Sequence, residues 1–193
     1  MIAIIKYNAG NILSVRNALM RLGEESILTD DPEKILSADK VIFPGVGEAG
    51  SAMKYLREKN LDKTILEVKR PFLGICLGLQ LMCRHSEESN TRCLGIFDTD
   101  VRKFPAGEII PHMGWNNLSV NNKSQLLKRI NNSDDFYFVH SYYADNCPET
   151  LASCDYVTTF SAVMQKDNFY ATQFHPEKSS YRGIIILQNF LKI

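Results

Sequence analysis

Short apolar runs alternate with helical patterns along roughly the first 85 residues. The run IAIIKY at 2–7 is typical of a buried strand. Apolar residues then recur at the spacing of one helix face, at Ile12, Val15, Leu19 and Leu22. Asn11 is placed to cap the start of this helix and Gly23 to end it. The alternation of strand and helix predicts a parallel sheet covered on both faces.

The same rhythm continues to the turn PGVG at 44–47. SILT predicts a second strand, and DPEKILSA predicts a short helix opened by Asp31 and Pro32. KVIF then predicts a third strand, which runs directly into PGVG.

After about residue 85 the pattern changes to antiparallel pieces. Strands are predicted for DVRKF, WNNLSV, FYFVHSYYA, SAVMQ and FYATQF, of which the last two form a hairpin across 166–168. A closing helix is predicted from about Ser180. Since no repeat or linker interrupts the chain, we expect one domain over 1–193. Its expected fold is α/β, with three layers, a doubly wound and mostly parallel sheet, flanking helices and an antiparallel C-terminal extension.

Composition narrows the classes of partner. The 193 residues contain 22 Lys+Arg and 22 Asp+Glu without a basic run, which argues against nucleic-acid or membrane-surface binding. The N-terminus lacks the pattern of a leader, and no apolar run is long enough to span a bilayer, so we expect a cytosolic protein. The five cysteines lack the paired short spacing of a zinc site. We therefore expect reduced thiols, no metal and no cofactor.

One cysteine stands where a strand-like run changes into a helix-like run, in GICLG at 74–78. A nucleophile on such a sharp turn needs small neighbours, which Gly74 and Gly78 supply. The following helix N-terminus favours a thiolate at Cys76. The alternative is a buried cysteine between two packing glycines.

A cysteine nucleophile needs a base and a group that orients the base. Of the four histidines, His175 in QFHPEKS ends an apolar strand, and Glu177 follows two residues later, where it can hold the ring. His85, which is assigned to the helix that follows the GICLG turn (the elbow helix), is expected to be solvated. His140 is interpreted as a satisfied core histidine, with a place in a pocket wall as the alternative.

The glycine-rich turn PGVG lacks the spacing of a phosphate-binding loop or a dinucleotide site. Acyl transfer needs two N–H donors for the developing oxyanion. The Leu77 amide is one candidate, and the turn at Val46 and Gly47 is the other. A plain strand-to-helix turn remains the alternative.

In this order and at these separations, PGVG, GICLGLQLM and QFHPEKS resemble the triad (class I) glutamine amidotransferases. PHMGWN and HPEKS are similar, more narrowly, to the glutaminase subunits of imidazole glycerol phosphate synthases in histidine biosynthesis. The resemblance spans nearly the whole chain. It implies that Cys76 is the nucleophile, His175 the base and acid, and Glu177 the residue that orients His175. It also implies a glutaminase that passes ammonia to a (β/α)₈ cyclase subunit, in a heterodimer.

The resemblance assigns further residues. The oxyanion region would contain Gly45, Val46 and Leu77. The substrate pocket would be lined by Gly45, Gln80, Glu88, Ser141 and Tyr142. Residues facing the cyclase would be Asn11, Trp115 and Lys178, with an ordinary core tryptophan as the alternative at Trp115. One departure is Ala49, where the family usually carries an aromatic residue.

Other functions share these motifs. A triad amidotransferase serving another synthase, or a γ-glutamyl hydrolase, would use the same cysteine, although PHMGWN argues against both. A catalytically silent binding subunit would not need the set Cys76, His175 and Glu177. The motifs also leave open the alternative that the partner is a cyclase-like protein from sugar modification.

Overall fold

The computed structural model of the protein describes residues 1–7, 12–105 and 109–193. It confirms the alternation of strands and helices in the first half. The elements there are β1 (Ile2–Ile5), α1 (Ile12–Arg21), β2 (Ser26–Thr29), α2 (Pro32–Ser37), β3 (Lys40–Phe43), α3 (Ala49–Glu58), α4 (Leu61–Glu67), β4 (Phe72–Ile75) and α5 (Leu77–Met82).

Local signals set two of the helix ends. The Asp31 carboxylate accepts the Glu33 N–H at 3.0 Å and so caps α2. Gly23 follows α1 with φ 80°, and its N–H donates to the Met20 carbonyl oxygen at 3.0 Å, an ending that favours glycine. The predicted cap Asn11 lies outside the described residues.

The second half is built mainly of short strands. Its elements are β5 (His85–Ser86), β6 (Thr91–Arg92), β7 (Asp100–Lys103), β8 (His112–Asn117), β9 (Ser119–Val120), β10 (Asp135–His140), β11 (Tyr142–Ala144), β12 (Thr150–Asp155), β13 (Thr159–Lys166), β14 (Phe169–Thr172) and α6 (Ser180–Leu191). The predicted hairpin is confirmed, because β13 and β14 pair with Lys166 opposite Phe169. The closing helix is also confirmed.

The main sheet has eight strands in the order β2-β1-β3-β4-β14-β13-β12-β9. Its first five strands are parallel, and β13, β12 and β9 extend it by antiparallel pairing. β4 and β14 are parallel neighbours although they are far apart in sequence. Residues that follow these two strands therefore meet at one edge of the sheet, where open α/β sheets place their sites.

Two predicted strands are each divided between sheets. WNNLSV is split around the buried Leu118, so that β8 pairs with β10 whereas β9 joins the main sheet. FYFVHSYYA is split at Ser141, and β11 pairs with β7 in a separate four-stranded sheet. The prediction of single strands was wrong because an apolar pattern does not specify which other strands each segment pairs with. The pattern also missed β5, β6 and β12.

The side chains of β1 explain the three layers. Ile2 and Ile4 belong to one hydrophobic cluster, and Ala3 and Ile5 belong to another. Successive strand residues point to opposite faces, so each face of the main sheet has its own core. Within the described residues, no helix is long and apolar enough to cross a bilayer.

Candidate active site

Cys76 occupies the sharp turn between β4 and α5. Its φ of 53° and ψ of −107° lie in a region that residues with side chains rarely adopt. A Cβ added at Gly74 would lie 2.5 Å from Sδ of Met82, and one added at Gly78 would lie 2.0 Å from the Phe43 carbonyl oxygen. Gly78 is therefore required for α5 to pack this closely against the sheet, and Gly74 leaves room for the end of the Met82 side chain.

The turn places Cys76 at the wall of a cavity of about 290 Å³. The Cys76 N–H donates to the Thr172 carbonyl oxygen at 2.7 Å, which ties the turn to β14. Its Sγ lies 3.9 Å from the Val139 carbonyl oxygen on β10. The residue is 6% exposed, so the sulfur is reached from the cavity rather than from bulk solvent.

His175 follows β14 at the same edge of the sheet. Its Nδ1 lies 2.8 Å from Oε1 of Glu177, and both side chains are 1% exposed. The Ser179 hydroxyl donates to the His175 carbonyl oxygen at 2.7 Å and accepts the Tyr137 N–H at 2.9 Å, which fixes the turn. Nε2 of His175 is buried and makes no hydrogen bond of standard geometry within the described residues, although the ring interacts with the Cys76 sulfur. With the carboxylate on Nδ1, Nε2 is the nitrogen available for proton transfer.

The surroundings of His175 favour its charged form. Burial acts to lower the pKa of His175, but the neighbouring Cys76 sulfur and the Glu177 carboxylate together raise this pKa to about 10. The imidazolium would thus lie between two negative groups. This arrangement suits a thiolate–imidazolium pair, the reactive form of a cysteine nucleophile.

The expected oxyanion donors are not both directed at the cavity. The Leu77 N–H donates to the Gly45 carbonyl oxygen at 3.4 Å, so one donor is occupied by the PGVG turn itself. Tyr7 also fixes this turn, because its hydroxyl donates to the Pro44 carbonyl oxygen at 2.6 Å. Gly47 has φ 135°, a conformation that glycine adopts without strain.

The cavity brings together most of the expected oxyanion and substrate residues. Those in its lining are Val46, Gly47, Leu77, Gln80, Glu88, Ser141 and Tyr142. Gly45 lies beneath the lining, where an added Cβ would be 2.3 Å from the Tyr7 hydroxyl. Pro111 and Val139 also line the cavity and were not predicted from the sequence. Val139 could have been found from its place in the run VHSYY, which also contains Ser141.

Glu88 gives the cavity a negative wall. Its Oε2 accepts the N–H of Ala49, the buried first residue of α3, at 2.8 Å. Partial burial raises the pKa of Glu88, the Ala49 N–H opposes this effect, and the charge of Glu48 adds to it. No lysine or arginine pairs with Glu88 in the described part of the chain. The carboxylate is therefore placed to receive a cationic group of a ligand.

His140 is both a satisfied core histidine and part of the cavity wall. Its Nδ1 lies 2.8 Å from the Tyr142 carbonyl oxygen and its Nε2 lies 3.1 Å from Nδ1 of His112. Burial lowers the pKa of His140 to about 3 and that of His112 to about 4, so both rings are neutral. His85 lies on β5 and not on the elbow helix, and its half-buried ring bonds Asn90 at 2.8 Å.

The profile of the family described as glutamine amidotransferase class-I matches residues 4–193. The chain belongs to the class-I glutamine amidotransferases. It is 56% identical over 195 residues to the imidazole glycerol phosphate synthase subunit HisH of Bacteroides fragilis strain YCH46, with 100% of this chain and 99% of that one covered. It is 53% identical over 195 residues to the subunit of the same name from Bacteroides thetaiotaomicron, with the same coverage. These full-length matches also place the chain among the HisH subunits.

Solved structures share the fold of this class-I amidotransferase. One glutamine amidotransferase aligns with a TM-score of 0.76 and 19% sequence identity. The alignment covers 98% of this chain and 97% of that protein's chain. Another, from Thermotoga maritima, aligns with a TM-score of 0.68 and 17% sequence identity. That alignment covers 99% of this chain and 83% of the other protein's chain. The predicted fold class is thereby confirmed.

The other cysteines of this class-I amidotransferase are poor nucleophiles. Burial raises the pKa of Cys83 well above its ordinary value, and it raises the pKa of Cys93 and of Cys154 to about 12. Burial also raises the pKa of Cys147. Among the described residues, no group of three His, Cys, Asp or Glu side chains is placed to hold a metal ion.

Two of the three residues expected to face a partner, Trp115 and Lys178, lie together beside Tyr137 of β10. Trp115 is 55% exposed, which excludes the alternative of a core tryptophan. The Trp115 ring packs edge-on against the Tyr137 ring, with 6.0 Å between the two centroids. Nζ of Lys178 lies 5.9 Å from the centroid of the Tyr137 ring. Asn11 lies outside the described residues. Because Lys178 directly follows Glu177, this surface adjoins the candidate triad.

Proposed function

We propose that this chain is the glutaminase subunit of imidazole glycerol phosphate synthase in histidine biosynthesis. It hydrolyses L-glutamine to glutamate and ammonia. The ammonia passes to a cyclase subunit that makes imidazole glycerol phosphate and aminoimidazole carboxamide ribotide. The observation that carries the proposal is the buried His175–Glu177 pair, 2.8 Å apart, beside a cysteine on a strained turn at the cavity wall.

The first half of the reaction forms a thioester. The Cys76 thiolate attacks the side-chain amide carbon of glutamine, so that a C–S bond forms and negative charge moves to the amide oxygen. When this tetrahedral intermediate collapses, the C–N bond breaks and the His175 imidazolium gives its Nε2 proton to the departing nitrogen. Ammonia and a γ-glutamyl thioester result.

The second half restores the enzyme. Neutral His175 takes a proton from water, whose oxygen attacks the thioester carbonyl carbon. The C–S bond then breaks, glutamate leaves, and the thiolate–imidazolium pair returns. Glu177 keeps its carboxylate on Nδ1 throughout, which stabilises the imidazolium without accepting its proton.

We expect the isolated subunit to be a poor glutaminase. The Gly45 carbonyl oxygen occupies the Leu77 N–H, at 3.4 Å, so one oxyanion donor must be released before the intermediate is stabilised. The glycines of PGVG allow the peptide rotation this requires. A partner that binds the released form more tightly would raise the rate.

The proposal extends to the assembly. We propose that residues 1–193 form a single domain, and the position of β14, from near the end of the chain, between β4 and β13 in one sheet supports this. The subunit pairs with the cyclase through the surface of Trp115 and Lys178, to which we also assign Asn11. We expect the heterodimer in the cytoplasm, where free thiols persist, since all five cysteines are free.

The assignment of Cys76 is tested by a glutamine-like diazoketone. We expect this reagent to label Cys76 in preference to the other four cysteines, because only Cys76 combines the cavity with a neighbouring imidazolium. Mass mapping of the adduct identifies the labelled residue. Excess glutamine should protect Cys76 from labelling. Equal labelling of Cys83 or Cys93 would show that the turn at Cys76 is not the preferred reactive site.

The partner surface is tested by Trp115→Ala. We expect the dissociation constant for the cyclase to rise roughly 30-fold, as for a loss of about 2 kcal/mol at an aromatic hot spot. The free energy of unfolding should change by less than about 0.5 kcal/mol, because Trp115 is 55% exposed. Calorimetric titration and melting curves measure the two quantities.

Leu66→Ala is the matched control, since it truncates an exposed apolar side chain on α4 instead of β8. It should leave the dissociation constant unchanged. Unaltered affinity in Trp115→Ala would place the interface elsewhere. Titration with a sugar-modification cyclase separates the two kinds of partner, since only the histidine-pathway cyclase should bind.

A further inference from the structure

Two buried glutamine side chains join the substrate cavity to the cysteine sulfur. Nε2 of Gln80 donates to the Tyr142 carbonyl oxygen at 2.8 Å and to Oε1 of Gln173 at 3.0 Å. Nε2 of Gln173 then lies 3.6 Å from Sγ of Cys76. Gln173 is fully buried and Gln80 is 4% exposed, so water does not compete for these contacts.

The orientation of both amides follows from one main-chain carbonyl. The Tyr142 oxygen can only accept, so the atom of Gln80 that faces it must be the NH₂ nitrogen. The second hydrogen of that nitrogen points at Gln173, whose facing atom must therefore be an oxygen. The remaining NH₂ group of Gln173 is thus directed at the sulfur. The reverse orientation would place two NH₂ groups against each other.

A hydrogen-bond donor at the sulfur favours the thiolate over the thiol. The Val139 carbonyl oxygen, 3.9 Å from Sγ, has the opposite effect because it accepts a bond only from S–H. His175, which faces the sulfur from the β14 end, supplies the positive charge. Tyr7 approaches from the β1 end and is a neutral phenol, because burial raises its pKa well above its ordinary value.

We propose that Gln173 stabilises the Cys76 thiolate through its N–H···S contact and that Gln80 is the positioning residue that keeps the Gln173 amide in this orientation. The inference deepens the proposed function, on which it rests, because it concerns the same nucleophile. Neither role follows from packing alone, since an apolar side chain of similar length would fill the space of Gln173.

The pH dependence of Cys76 alkylation tests the inference on the full chain. The rate constant for iodoacetamide is followed by mass mapping between about pH 5 and pH 10 in the wild type and in Gln173→Met. We expect the midpoint of the Cys76 profile to rise by about one pH unit in the variant, because a hydrogen bond to a charged group is lost. In Gln80→Met the Gln173 amide is free to rotate, so a smaller rise is expected.

Asn189→Leu is the matched control. It removes another buried amide, which donates to the carbonyl oxygens of Leu126 and Lys128 at 2.9 and 2.7 Å, from helix α6. Its melting temperature should fall as that of Gln173→Met does, but its alkylation midpoint should match the wild type.

Four results would count against the inference. An unchanged midpoint in Gln173→Met would overturn it and leave the proposed function intact, as would an equal shift in Asn189→Leu. If Gln173→Met does not fold, an unchanged midpoint in Gln80→Met decides against the inference in the same way. A wild-type Cys76 that is alkylated no faster than the buried cysteines would overturn the proposed function and the inference together.

Discussion

Cys76→Ala should abolish synthesis of imidazole glycerol phosphate from glutamine by the assembled enzyme, while synthesis from added ammonium salt survives. The nucleophile is needed only to release ammonia, and the cyclase site lies on the other subunit. Loss of the nucleophile of a catalytic triad lowers turnover by on the order of 10⁶-fold in a serine protease, and we expect a loss of comparable size here. Steady-state assays with each nitrogen donor, on the same preparation, measure the separation.

Cys154→Ala is the control for loss of a buried cysteine. Cys154 is 1% exposed on β12 and does not line the cavity. We expect lower stability with both activities retained. If Cys76→Ala lost ammonium-dependent synthesis with the complex still assembled, the proposed division of labour between the subunits would be wrong. If it kept glutamine-dependent synthesis, this chain would be a silent binding subunit.

Glu177→Gln should lower glutaminase turnover by roughly a thousandfold or more, with little change in stability. The substitution keeps the shape of the side chain and an oxygen for the 2.8 Å contact with Nδ1 of His175, but it removes the charge that stabilises the imidazolium. His175→Asn should be worse, since it removes the proton carrier itself. Unchanged turnover in Glu177→Gln would show that another group orients His175.

The pH–rate profile of Glu177→Gln distinguishes this role from a structural one. Glu177 raises the pKa of His175, so its neutralisation lowers that pKa and the imidazolium loses its proton at lower pH. The alkaline limb of the turnover profile should therefore move to lower pH. Glu149→Gln, which neutralises a side chain 17% exposed beside Lys166, should leave the profile unchanged. An unshifted limb in Glu177→Gln would limit Glu177 to a packing role.

The sequence alone determined the βα alternation of the first half, although not the helices α3 and α4, and the identity of the candidate triad. Strand and helix periods are local properties, so β1 to β3 and the hairpin of β13 and β14 were predicted from their own residues. The glycines around Cys76 and the pair His175 and Glu177 are also local, because each belongs to a short motif whose chemistry needs that spacing.

Only the tertiary structure decided how these motifs meet and which groups surround them. The pairing of β4 with β14 brings Cys76 to the Gln173–His175 segment from 97 residues away, and no local pattern specifies that pairing. Side-chain amides and carbonyl groups acquire partners only after the chain is packed. For this reason the occupied Leu77 N–H, the Gln80–Gln173 contact and the exposure of Trp115 could not be found from the sequence.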